Sequence, residues 1–226
     1  MMSDARAAGD GATQTIVVAT SNAHKVAEIM RIIDIEGVKF VPLSELGSFP
    51  SPVEDGTTFI ENARIKAMAA HEETGLAAIA DDSGIVADAL DGAPGIYSSR
   101  YSGDEGNDDA NNAKLLADME GKANRTGRFT CAIVYIGNDG RELVAQASVE
   151  GQIDDHLHGE GGFGYDPLFL PDEYGGKVSM AEISMDQKNA ISHRGKALRD
   201  MREQLVASGL AGHVEACGGD AESCRR

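Results

Sequence analysis

The order of its apolar runs leaves this chain few folds to choose from. TIVVAT at 15–20 and VKFVPL at 38–43 read as buried strands, and between them the loop SNA opens a segment in which Val26, Ile29, Met30 and Ile33 recur at helical spacing. After the Pro- and Ser-rich stretch SFPSPVEDG, Thr58-x-x-Glu61 has the form of a capping box and predicts a helix to about Glu73, ended by Gly75. AAIA at 77–80 then runs into two adjacent acids, and IVADAL at 85–90 predicts a separate short strand ending in the turn DGAPG. NDDANNAKLLADME, with Asn and Asp caps at its start, predicts another helix. From residue 128 the pattern changes: RFTCAIVYI, the turn GNDGR and ELVAQASVEGQI predict two consecutive strands, followed by the glycine-rich bend HGEGGFGYD and the apolar DPLFLP. A long helix is expected from about Ser192 to Ser208. Strands that alternate with helices and then meander point to a mixed sheet flanked by helices, not to a uniformly parallel one.

A chain of 226 residues suffices for one substantial domain or two closely packed lobes. The ends, 1–14 and 213–226, are small, polar and without periodicity, so they are expected to be poorly ordered tails around a single folded unit over 15–212. Acidic residues number 37 against 20 basic ones, and the net charge of −17 would repel the backbone of a nucleic-acid polymer. Small phosphorylated ligands stay open to such a chain, because a few lysines, a helix N-terminus or a divalent cation can make a positive pocket in an acidic protein. The three cysteines form no disulfide framework: Cys131 lies in the apolar FTCAIVYI, and Cys217 and Cys224 lie in the polar C-terminal segment. That usage fits a reducing compartment. With no secretory signal core near the start and no apolar run of membrane length, a cytoplasmic protein without a membrane partner is expected.

Five segments could carry chemistry. At TSNAHK (20–25) a strand ends in small polar residues and a helix starts at once; an anion could use its outward backbone amides, Asn22 as a donor and Lys25 as a point charge, or Ser21 or Asn22 could simply cap the helix. Asp81 and Asp82 repel each other unless a cation or a shared proton intervenes. Mg²⁺ suits hard carboxylate oxygens and leaves positions for phosphate oxygens and water, with Glu54 as a further carboxylate. Otherwise one Asp faces solvent and the other caps a turn with Ser83 and Gly84. Lys66 falls on or beside the small apolar face of its helix and must reach solvent or a partner, while Glu61, Asn62 and Arg64 receive no catalytic role. In GGFGYDP the glycines bare the backbone on both sides of Phe163, which could stack on a base while Asp166 or nearby amides contact its edge or a sugar hydroxyl; otherwise Phe163 and Tyr165 are core residues. In KNAISHRGKAL, Ser192 reads as an N-cap, and Arg194 sits at the positive end of a helix, a discord that suggests an anionic or acceptor-rich partner, with Lys188 just upstream; otherwise the segment is a solvated basic helix start.

Taken in order, TSNAHK, EDGTTFIENARIKA, ADDSGIVADALDGAPGIYSSRYSG, GGFGYDPLF and ISHRGKAL resemble the inosine triphosphate pyrophosphatase family, from about Ile16 to Leu205. The resemblance implies hydrolysis of non-standard purine nucleoside triphosphates (ITP, dITP, XTP) to the monophosphate and pyrophosphate. It implies an α/β fold with a long, curved mixed sheet and flanking helices, two lobes around a central groove, Mg²⁺ as the cofactor, and a homodimer. By position, Asp82 looks like the general base and a metal contact, with Glu54 and Asp81 helping to hold the ion. Lys66 looks like a phosphate-neutralising catalytic lysine. Thr20, Ser21, Asn22, Ala23, His24 and Lys25 look like the triphosphate loop, with Ser83 a further contact, and Phe163, Gly164, Tyr165, Asp166, Lys188, His193 and Arg194 match base and sugar recognition positions. Ser21 departs from the family, where glycine is frequent. A related pyrophosphatase of different base preference, an Asp-nucleophile phosphomonoesterase and a nucleotide-binding sensor stay open as alternatives.

Overall fold

A computed structural model describes residues 14–20 and 22–210. Six strands, β1 (Gln14–Val18), β2 (Val38–Pro42), β3 (Ala77–Ala87), β4 (Thr126–Ile136), β5 (Glu142–Ile153) and β6 (Phe169–Pro171), form one sheet in the order β2-β1-β3-β4-β5-β6. Among the described residues six α-helices accompany them: α1 (Ala23–Ile32), α2 (Leu43–Leu46), α3 (Phe59–Thr74), α4 (Asp108–Asp118), α5 (Met185–Ile191) and α6 (His193–Ala207). β1 pairs in parallel with β2 and β3, and every later pairing is antiparallel. The crossovers through α1 and α3 make the parallel part and the β4–β5 hairpin makes the rest, so the expected mixed α/β sheet follows from which connections carry helices.

β4 is buried at every residue from Phe129 to Ile136, as a central strand covered on both faces must be. On one face α1 and α6 close a core of Ile16, Ile29, Ile79, Ile133, Leu198 and Met201. On the other, α3 packs its small side chains Ala63, Ala67 and Ala70 against Val17, Ala78 and Val134. A third core gathers Ile85, Phe129, Val149, Tyr165, Leu168 and Phe169 with Leu115 of α4 and Met119 at its C-terminal cap. The long strands thus run from one core into another, and Asp81 to Gly84 occupy the stretch of β3 between Ala80 and Ile85, where apolar packing lapses.

Most element boundaries fall where the capping residues put them. Thr58 Oγ1 accepts from the Glu61 amide, and Gly75, at φ +67°, ends α3 in the left-handed conformation that glycine adopts without strain. Glu61 does not close the expected box on Thr58; its carboxylate reaches one residue further back, to the amide and hydroxyl of Thr57. Three differences stand out. β3 is one eleven-residue strand through both acids, where two shorter strands were expected, because its ladder with β4 runs from Ala78↔Ile136 to Ala87↔Gly127 whatever the side chains. α5 directly precedes α6, with Ser192 ending one and capping the other; its capping box, Ser184 with Gln187, was not read from the sequence. Met30, expected on the apolar face of α1, is exposed. Cys131 is a free thiol in the core, pushed up to about 12 chiefly by burial. The expected tails, with Cys217 and Cys224, fall almost wholly outside the described residues, as does Ser21.

Candidate active site

Successive residues of a strand point to opposite faces, so Asp81 and Asp82 cannot share one side of β3. Asp82 turns toward α3. There Lys66 Nζ lies 2.7 Å from Asp82 Oδ1 and 3.0 Å from Glu54 Oε2, joining the loop before α3 to the strand. Asn62, fully buried one turn earlier on α3, presents its amide to Asp82 Oδ2 at 3.5 Å and accepts from the Gly56 amide at 2.9 Å, which fixes the loop that carries Glu54. Burial pushes the Asp82 carboxyl above its ordinary value although Lys66 pulls it back. Burial also opposes the charge of Lys66, but Asp82, Asp81 and Glu54 outweigh it and hold the ammonium protonated.

Asp81 turns toward α1 and α6 and is wholly buried. Its Oδ2 meets Lys25 Nζ at 3.1 Å and accepts from Ser83 Oγ and from Nε and Nη2 of Arg194, all at 3.2 Å. Arg194 spends its remaining donors on Glu28 Oε2 and, at 2.8 Å, on Ser83 Oγ. The anionic partner that an arginine at a helix N-terminus requires is therefore a pair of internal carboxylates. Burial alone would raise Asp81; Lys25, Arg194 and Lys66 together hold it well below the usual carboxylate range. The network continues through Lys188, whose Nζ is 3.3 Å from Glu28 Oε1 and 2.6 Å from Asp166 Oδ2, and Asp166 in turn accepts from the Phe163 amide at 2.8 Å. Above this chain the Phe163 ring stacks on His24, centroids 5.2 Å apart and 12° from parallel, with Lys188 Nζ 4.2 Å from its centre. Lys25 also pulls on Asp82, so the two faces of β3 share one electrostatic field.

The remaining expected residues take mixed positions. Asn22 caps α1, its Oδ1 accepting from the amides of His24 and Lys25, while its own amide donates to Thr20 Oγ1; Asn22, Ala23 and His24 are exposed. His193 is buried and stacked on Phe129, and burial beside Arg194 and Lys188 keeps it neutral, with no hydrogen-bond partner for Nδ1 among the described residues. Tyr165 belongs to the third core, donating its hydroxyl to Ser98 O. Gly164 is tied through its amide to Asp108 and through its carbonyl to Asn112, both on α4. Gly162 is needed twice over: φ is +73°, and a Cβ there would lie 2.3 Å from Asp166 Oδ2. Glu28, Asn62, Asp108 and Asn112 carry weight that the sequence reading did not assign; only for Glu28 and Asn62 was there a signal, each being a polar residue beside apolar ones on its helix.

Fold and site together define an α/β enzyme whose charged groups straddle one central strand of a curled mixed sheet. The model of the Ham1 family matches residues 16–204. A dITP/XTP pyrophosphatase of Desulforamulus reducens is 50% identical over 192 residues, covering 84% of this chain and 94% of that protein, and one of Geobacter sulfurreducens is 46% identical over 86% and 98%. Among solved structures, the Ham1 protein of Staphylococcus aureus has a TM-score of 0.78 at 37% identity, covering 86% of this chain and all of that one, and a HAM1 protein of Coxiella burnetii has 0.78 at 39%, covering 86% and 99%. The chain belongs to the Ham1 family.

Proposed function

We propose that this protein hydrolyses dITP, XTP and ITP to the nucleoside monophosphate and pyrophosphate with Mg²⁺ as cofactor. The observation that carries this reading is Lys66, held by Glu54 and Asp82 in one polar cluster that also feels the charge of Lys25 on α1. Two carboxylates already gathered around a cation are hard oxygen donors of the kind Mg²⁺ prefers, and Asp82 and Glu54 would hold it. When bound, the ion supplies neutralisation of phosphate charge at the attacked phosphorus and the leaving pyrophosphate. Asp82, its basicity raised by burial, takes the proton from the attacking water. Lys66 balances charge on the triphosphate, and Thr20, Asn22 and Lys25 with the exposed start of α1 receive its outer phosphates. Asp81 enters through Lys25 and Arg194 and not as a ligand, because its carboxylate lies on the opposite face of β3 from Asp82.

Base choice falls to the surroundings of Phe163. A purine stacking on the face that meets His24 has to displace that imidazole, since 5.2 Å leaves no room for a third ring. The cations Lys188 and Arg194, 4.2 and 5.7 Å from the centre of the Phe163 ring, favour the acceptor oxygen that hypoxanthine and xanthine carry at position 6 and oppose adenine's amino donor there. The charge of −17 argues against nucleic-acid polymers as partners. No helix among the described residues is long and apolar enough to cross a membrane, which accords with a cytoplasmic site of action, and the resemblance supports a homodimer with one unit over 15–212. Incubation with Mg²⁺ and ITP, dITP, XTP or ATP tests the reading: pyrophosphate released preferentially from the first three is expected. Orthophosphate as the product, or equal turnover of ATP, would overturn it.

A further inference from the structure

A second group of metal-ligating side chains lies where β5 ends. Asp154, His156 and His158 bring one carboxylate oxygen and two imidazole nitrogens within 4.8 Å of one another. Asp154 Oδ2 is 2.6 Å from His158 Nε2, Asp154 Oδ1 is 3.7 Å from His156 Nδ1, and the two rings lie 4.0 Å apart at a 49° tilt. His156 Nδ1 also meets Asp155 Oδ1 at 2.6 Å, so a fourth donor stands beside the three. Such close polar contacts on side chains that solvent still reaches give an ion both ligands and access. An open cavity of about 790 Å³, lined by Asp154 and Asp155 together with Arg125 and Lys122, adjoins them.

The backbone beneath is pinned independently of any ion. Arg125 donates to the carbonyls of Ile153 and Asp154, the Asp154 amide donates to Leu168 O at 2.8 Å, and the His158 amide donates to Pro167 O at 2.9 Å. Only side-chain adjustment is left for the donors to converge, and His156, the most exposed of the three proposed ligands, is free to make it. We propose that Asp154, His156 and His158 form a binding site for a borderline divalent cation of the zinc class, separate from the carboxylate and lysine cluster on β3. Two imidazole nitrogens and a carboxylate select such an ion over Mg²⁺, which prefers oxygen throughout. An ion there would replace the Asp154–His158 hydrogen bond and tie residues 154–158 down. Their amides already clamp Pro167 and Leu168, next to the bend that holds Phe163, so the bound ion stiffens the 154–168 segment.

The test is calorimetric titration of Zn²⁺ into the full chain, with Mg²⁺ in excess to occupy all-oxygen sites. One saturable ion per chain is expected. His156→Ala and His158→Ala should each weaken binding by more than about tenfold, whereas the paired substitution Cys217→Ser with Cys224→Ser should leave it unchanged. Because His156 is largely exposed, its variant keeps the parent's fold, which circular dichroism checks. Hydrogen exchange adds a readout that a merely structural histidine would not move: Zn²⁺ should slow amide exchange over 154–168 in the parent and not in His158→Ala. Unchanged affinity in both histidine variants, loss of binding in the cysteine variant, or no saturable binding at all would each overturn the proposal.

Discussion

Asp81 and Asp82 differ by one position and therefore by one face of the sheet, and their predicted substitutions part in the same way. Asp82→Asn keeps shape and loses basicity; kcat should fall by about 10²–10⁴-fold while nucleotide affinity is largely kept, as pyrophosphate release and equilibrium binding will measure. Because burial lifts the Asp82 carboxyl in the metal-free protein, its titration without Mg²⁺, followed by NMR, should centre above about 4, the ordinary aspartate value, and added Mg²⁺ should lower it. Asp81→Asn instead leaves Arg194 and Lys25 short of a buried countercharge, and should cost about 3–5 kcal/mol of stability. Asp81's folded value is held below its unfolded one, so its contribution is complete above the unfolded value and is lost as pH falls toward the folded one. Denaturant unfolding should therefore separate parent and variant widely near neutral pH and progressively less in acid. At this scale the sequence spoke through discord: Lys66 on a small apolar face and Arg194 at a positive helix end each had to reach either solvent or a partner, and the fold supplies partners to both. It did not name Glu28, whose place beside apolar residues on α1 gains meaning only once Arg194, 166 positions away, is folded against it.

Several elements were legible from a cap or a period. Thr58 and Gly75 bracket α3, and Ser192 opens α6, as residue chemistry dictates. α5 went unread because it merges through Ser192 into the next helix, and β3 was divided because two acids in a row look like a loop until β4 supplies the ladder. α3 deserves a direct probe, since it delivers both Asn62 and Lys66 to Asp82. Thr58→Ala removes the side chain that caps the Glu61 amide and should destabilise the protein by about 1 kcal/mol. Glu61 stays bonded to Thr57, so the first turn frays without unwinding, and kcat should stay within about twofold of the parent when the caps are tested below the melting transition. A loss of activity far beyond the loss of stability would mean that the start of α3, and not only its middle, shapes the site.

Across the whole molecule the acids exceed the bases by 17, yet the site itself is nearly balanced: Lys25, Lys66, Lys188 and Arg194 stand against Glu28, Glu54, Asp81, Asp82 and Asp166. Most of the excess charge therefore lies outside the site, where it repels itself and where salt reaches it. At about 0.1 M monovalent salt the screening length is about 10 Å, enough to weaken repulsion between distant surface acids while barely touching the buried Arg194–Asp81 pair. Salt also weakens exposed attractive pairs such as Arg64–Glu142 and Arg128–Glu150, but each of these contributes only about 0–1 kcal/mol. Repulsion wins that comparison, because it acts among all the unmatched acids whereas each attraction is a single pair. Raising NaCl from about 10 to about 200 mM without divalent ions should thus raise the melting temperature, and Asp81→Asn should show a rise of similar size, since the charge it removes is one that salt does not screen. A melting temperature that falls with salt would mean that the surface pairs outweigh the net charge, and a much altered salt response in Asp81→Asn would mean that the central network is open to solvent.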